Sequence, residues 1–197
     1  MKILVFEYIT GGGLCREELP ASLAAEGRLM VTALLRDLSE LEGVEVLLLL
    51  DTRVMGQVSA QGNVSVVEIG PSDDLKTLLV RQLACCDAVW PVAPEMDNIL
   101  LDLTRLFEKH SKPVLSSPSN VVASTADKLS TYRQLKARRI NAVATDSLQS
   151  ADFSRICRRV VKPVDGMGCE RTFIVDGAGD LEGPVSYTHL RAHETVL

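Results

Sequence analysis

The chain has 197 residues, 46% hydrophobic and 24% charged, with 13 glycines and 8 prolines. This balance supplies an apolar core and excludes a disordered or collagen-like chain, and the length suits about one and a half ordinary domains. Lys plus Arg at 21 against Asp plus Glu at 26 gives a net charge of -5. That argues against a broad nucleic-acid or anionic-membrane footprint but leaves room for a local basic pocket.

The chain opens with a short apolar run, Met1 to Phe6, that ends at Glu7 and runs into Gly11-Gly12-Gly13. A parallel strand handing over to a loop has this pattern. From Pro20 to Leu41, Leu23, Met30, Leu34, Leu35, Leu38 and Leu41 recur at helical spacing, with Gly43 as a stop. Val44 to Leu50 and Val64 to Ile69 are nearly continuous apolar strands, as expected for strands buried on both faces. Asp73 to Cys85 is predicted as a helix, Ala88 to Val92 as a strand, Ile99 to His110 as a helix and Pro113 to Leu115 as a short strand. The alternation predicts an α/β fold with a doubly wound parallel sheet of about five strands.

Past residue 117 the pattern changes. Ala126 to Ile140 is predicted as a basic amphipathic helix, Ala142 to Thr145 as extended and Phe153 to Arg158 as a short helix. Arg159 to Pro163 and Thr172 to Val175 form a hairpin around a glycine-containing loop. The expected organisation is an N-terminal domain over residues 1–117, a partial second domain over 118–183 and a tail over 184–197.

That tail, from Pro184 onward, reads as the in-frame translation of a transposase-type sequencing adapter. The expectation is therefore that the natural chain continues beyond Gly183. Setting the tail aside removes His189 and His193 and leaves His110, next to Lys109 and Lys112, as a surface residue near a helix end. The five cysteines, Cys15, Cys85, Cys86, Cys157 and Cys169, are odd in number and contain no C-x-x-C. They read as reduced thiols of a cytoplasmic protein. No run approaches the ~20 apolar residues of a membrane span.

The sharpest local feature is Val160-Val161-Lys162-Pro163-Val164-Asp165-Gly166-Met167-Gly168-Cys169-Glu170. A lysine at a strand end precedes glycines that let backbone N–H groups turn toward an anion, and phosphate is the natural ligand. The order is not that of a Walker loop, and a hairpin turn with a solvated lysine remains the competing reading. Gly11, Gly12 and Gly13, with Glu7 and Glu95 at strand ends, are weaker candidates for contacting a substrate at the carboxyl edge of the sheet. Cys169 has no neighbour that would lower its pKa.

Ser124-Thr125-Ala126-Asp127-Lys128 at a helix start, Arg139 to Thr145 and then Lys162 together resemble the ATP-grasp superfamily. Phe6 to Gly13, Pro91 to Glu95 and Lys162 to Gly168 resemble its tyramine–glutamate ligase-like branch, with the pyrrolysine-biosynthesis ligase type more distant. The resemblance implies a pre-ATP-grasp domain followed by the first lobe of an ATP-grasp domain. It implies ATP as the cofactor, held at its phosphates by Lys128 and Lys162, with a flap over Asp165, Gly166, Gly168 and Glu170. Mg2+ is also implied, its ligands and the catalytic residues expected beyond Gly183, so the fragment is expected to be inactive.

The implied activity is a carbon–nitrogen ligase joining a small-molecule carboxylate and amine through an acyl phosphate. No nucleic-acid or membrane partner is expected, and a homo-oligomer is compatible with the reading. Two alternatives stay open: an ATP-binding protein without ligase activity, and a Rossmann-type nucleotide-binding protein.

Overall fold

The computed structural model describes residues 1–60, 62–152, 158–165 and 171–176, and the backbone of 194–196. The chain divides into two compact units: Met1–Pro94 with Ile99–Ser119, and Glu95–Asn98 with Asn120–Leu197.

In the first unit, β1 (Lys2–Glu7), β2 (Glu45–Asp51), β3 (Val64–Ile69) and β4 (Ala88–Val92) form a parallel sheet in the order β3-β2-β1-β4. Helices α1 (Ala21–Ser39), α2 (Leu75–Leu83) and α3 (Ile99–Lys109) make the crossovers. Side-chain alternation sorts the sheet into two faces. Ile3, Val5, Val46, Leu48 and Leu50 pack with α1, through Val31, Leu35 and Leu38. Leu4, Phe6, Leu47, Leu49 and Val89 pack with α2 and α3, through Leu79, Leu83, Leu103 and Phe107. Helices thus cover both faces, and the sheet is doubly wound.

Two expectations change in detail. The buried stripe of α1 is Ala24, Gly27, Val31, Leu35 and Leu38, whereas Leu23, Met30 and Leu41 are exposed. Small residues face the sheet because the helix passes close over β1: a Cβ on Gly27 would lie 2.5 Å from Glu7 Oε2. The fifth strand shrinks to one bridge, Val89 to Val114. Pro113 lacks an N–H, and Ser116-Ser117-Pro118 follows at once.

In the second unit the single helix expected from Ala126 is two, α4 (Ser119–Ala126) and α5 (Lys128–Ala137). Asp127 sits between them in an extended conformation and caps α5, its carboxylate accepting from Ser130 N at 2.6 Å. Strands β6 (Arg159–Pro163) and β7 (Phe173–Val175) form the antiparallel hairpin. Residues 142–145 are irregular, and β5 is the two-residue strand Asp146–Ser147. Strand β8 (Glu194–Val196), from the stretch read as a tail, pairs with β5 and β6. The short helix predicted from Phe153 lies almost wholly outside the described residues.

Candidate functional site

The carboxyl edge of the sheet is built around Glu7. The residue is 2% exposed. It accepts from Ile9 N at 3.0 Å, Thr10 N at 2.7 Å and Thr10 Oγ1 at 2.6 Å. These bonds fold Ile9–Gly13 into a wide helical turn, so the acid ties down the loop from beneath. Within the turn Gly12 has φ 92°, and a Cβ there would lie 2.3 Å from Ile69 Cγ2. The glycine is demanded both by the left-handed backbone and by close approach to β3. Gly11 and Gly13 are equally confined, against Phe6 and Tyr8.

Sequence reasoning missed Arg53. Asp51, buried at the end of β2, receives its guanidinium at 2.9 and 2.7 Å. The same guanidinium donates to the carbonyls of Leu14 at 2.6 Å and Glu17 at 2.7 Å. Burial pushes the Asp51 carboxyl up, but the hydrogen bonds and charge of Arg53 outweigh it and hold the carboxyl below its ordinary value. The acid that a dinucleotide ribose would use at this place in a Rossmann fold is therefore already committed. Only the spacing Asp51-Thr52-Arg53 after a strand hinted at this network.

In the second unit, α5 begins at Lys128, whose backbone N–H donates to Val164 O at 3.0 Å. Its Nζ donates to the same oxygen at 3.3 Å. The helix start is thereby stitched to the end of β6, where Lys162 follows the fully buried Val161. Burial lowers the Lys128 pKa, and repulsion from Lys162 lowers it further; Asp165, Glu95 and Asp127 act in the opposite sense. Lys162, 34 positions on in sequence, thus acts on the partly buried Lys128 in a place fringed by carboxylates. Such an arrangement stabilises an anion that brings several negative oxygens.

Glu95 is exposed in the loop after β4. Asp97 and Asn98 there adopt φ of 54° and 60°, the left-handed region that Asp and Asn tolerate best after glycine. Gly166, Gly168 and Glu170 lie outside the described residues. Among the described residues no group of three His, Cys, Asp or Glu is placed to hold a metal ion, and no helix is long and apolar enough to cross a membrane.

Residues 44–122 match the family described as the pre ATP-grasp 3 domain. The chain is 28% identical over 168 residues to the tyramine–L-glutamate ligase of Methanocaldococcus fervens, covering 84% of this chain and 53% of that protein. Among solved structures it is similar to an ATP-grasp superfamily protein from Archaeoglobus fulgidus, with a TM-score of 0.64 and 21% identity, over 100% of this chain and 52% of that one. It is also similar to D-alanine–D-alanine ligase from Bacillus anthracis, with a TM-score of 0.60 and 13% identity, over 100% of this chain and 57% of that one. The chain spans about half the length of these relatives. It matches the pre-ATP-grasp 3 domain over residues 44–122 and shares the fold of these solved ATP-grasp structures.

Proposed function

We propose that this chain is the N-terminal part of an ATP- and Mg2+-dependent carboxylate–amine ligase that makes an amide through an acyl phosphate, with substrates of the tyramine and glutamate kind. Residues 118–183 are then the first lobe of the ATP-grasp domain, and residues 184–197 an adapter-derived tail. Resequencing the source locus across codon 183 without that adapter tests the last point; recovery of the same tail and stop would overturn it.

The observation that supports the reading is the pair Lys128 and Lys162, held from two elements beside the β6–β7 loop. The described residues fit the phosphates of ATP in the chemistry of their donors: two ammonium groups brought near one another, each able to donate to a phosphate oxygen. When bound, the nucleotide would supply the phosphoryl group that activates a carboxylate. The part of this chain is to hold and neutralise phosphate oxygens, which is most of what phosphoryl transfer requires of a protein. The described acids do not form a Mg2+ site, so no step is assigned to the metal.

Calorimetric titration of the chain with ATP, inorganic tripolyphosphate and adenosine tests the assignment. Lys128→Ala and Lys162→Ala should each weaken ATP and tripolyphosphate by roughly tenfold or more, the worth of a charge-assisted hydrogen bond, and leave adenosine unchanged. Equal affinities in wild type and both variants would remove the phosphate role. The Rossmann alternative loses ground to the commitment of Asp51 to Arg53 and to the seven residues separating Gly13 from α1.

A further inference from the structure

The two edges of the parallel sheet are finished differently. Beyond β4 the segment 113–115 covers the edge: Val89 N donates to Pro113 O at 2.9 Å, and Leu115 N donates to Val89 O at 2.7 Å. Pro91, within β4, has no N–H to offer. Both features keep a sheet from growing at that side. The opposite edge is β3, and its sequence Val64-Ser-Val-Val-Glu-Ile contains neither proline nor lysine.

Backbone geometry decides which groups face outward there. Along a strand paired in parallel, one residue bonds to the neighbouring strand with both its N–H and its C=O, and the next points both away. Val46 N donates to Asn63 O at 2.9 Å, and Val46 is in register with Val64. Asn63, Ser65, Val67 and Ile69 therefore bond toward β2, whereas Val64, Val66 and Glu68 point their N–H and C=O groups away from the sheet. No described residue pairs with these three on the outer side. Val64, Val66 and Val67 are only half-buried, while β2 beside them is buried from Val46 onward.

We propose that β3 is a docking edge for a second copy of this chain, the two β3 strands pairing antiparallel about a two-fold axis through Val66. In that register Val66 meets Val66 of the second copy and Val64 meets its Glu68, so every outward N–H and C=O of the three residues finds a partner. Moving the axis to Ser65 or Val67 would set Glu68 or Val64 opposite a residue outside the strand. The valines argue for a copy of β3 over a strand of other sequence. Val64 and Val66 already pack on the α1 layer, and the pairing continues that layer from one copy into the next. The two Glu68 carboxylates lie at opposite ends of the pair, so like charges do not face each other. The edge is independent of Lys128 and Lys162.

Sedimentation velocity over a dilution series, with amide exchange read residue by residue by NMR, tests this. The expected result is a reversible monomer–dimer equilibrium in the micromolar range. The Val64, Val66 and Glu68 amides should exchange roughly tenfold or more slowly in the dimer than in the monomer. Glu68→Pro removes an outward N–H without touching a bond to β2 and should weaken the dimer by roughly tenfold or more; Glu68→Thr keeps the N–H and should not weaken it. Under oxidation Val66→Cys should link two copies through the new thiol, because directly opposed residues of a hydrogen-bonded antiparallel pair have Cα atoms about 5.5 Å apart, and Glu68→Cys should not. Circular dichroism verifies that each variant is folded. A monomer up to millimolar concentration would overturn the proposal in favour of a strand from another protein. A dimer whose three amides exchange as fast as the monomer's would also overturn it, as would a monomer in which they are already protected, the sign of an edge covered from within the chain.

Discussion

The described residues of the two units bury apolar side chains to very different depths. In the first, two apolar layers sandwich a four-stranded parallel sheet, and Leu4, Val5, Phe6, Val46, Leu48 and Leu49 have no exposed surface. In the second, the described core is Val161 and Val175, with Leu148, Ala151 and Phe173 packed against them. Yet the second unit carries the lysine pair. A scaffold with a deep core can hold a strained loop and a buried acid. The described hairpin instead holds Lys128 by backbone bonds and by the helix cap at Asp127.

The sharpest way to break this comparison is to cut into each core. Leu49→Ala should destabilise the first unit by about 3–5 kcal/mol, since its side chain is enclosed and the cavity cannot collapse. Val161→Ala removes less buried area and should cost about 2 kcal/mol, confined to the second unit. Hydrogen exchange resolves the two: the amides of β1 and β2 should keep their protection in Val161→Ala. Equal loss of protection in both units would mean that they fold as one.

Next comes the loop of the first unit. Gly12→Ala meets both a left-handed backbone and Ile69 Cγ2, and should cost about 3 kcal/mol in thermal or urea unfolding. A loss below half of that would mean the glycine turn is free to rearrange.

Asp51→Asn should cost about 1–2 kcal/mol, because Asp51 is buried while Arg53 keeps some contact with water. Asp51 has its folded pKa depressed. Its contribution is therefore present above its unfolded pKa and disappears as the pH falls through the lower folded one. Acid unfolding of wild type should include this loss and that of Asp51→Asn should not; parallel curves would assign the pH dependence to other carboxylates.

Much of the first unit was legible because its strands are apolar runs bounded by Gly, Pro and Asp, and each β–helix alternation repeats the signal. What escaped depended on local backbone geometry. The split at Asp127 turns on one carboxylate accepting from Ser130 N, inside a stretch whose periodicity read as continuous. The inward face of α1 was misjudged because Leu23 and Met30 outweigh Ala24 and Gly27 by hydropathy, whereas contact with β1 selects the small residues. Glu7 was legible as an acid at a strand end; that its acceptors are taken by Ile9 and Thr10 depends on the turn that follows. Lys128 and Lys162 were singled out by motif resemblance alone, whereas the repulsion that Lys162 exerts on Lys128 emerges only when α5 is bonded to the end of β6.

That repulsion yields the finest test of the difference between the units. In the free chain Lys128 has its pKa lowered by burial and by Lys162, and a bound polyphosphate must raise it again by stabilising the ammonium form. Binding above the free-state pKa then takes up a proton. Affinity for tripolyphosphate should be flat below that pKa and fall by up to about tenfold per pH unit above it, until the bound-state pKa is reached. Measured above about pH 8, where phosphate ionisation is complete, the onset should lie below the ordinary lysine range. Lys128→Arg stays protonated throughout and should flatten the profile. Lys162→Ala removes the repulsion and should move the onset to higher pH while weakening binding overall. If the onset does not move, Lys162 does not face Lys128 across the phosphate site, and the chemistry assigned to the second unit would have to be sought elsewhere in the chain.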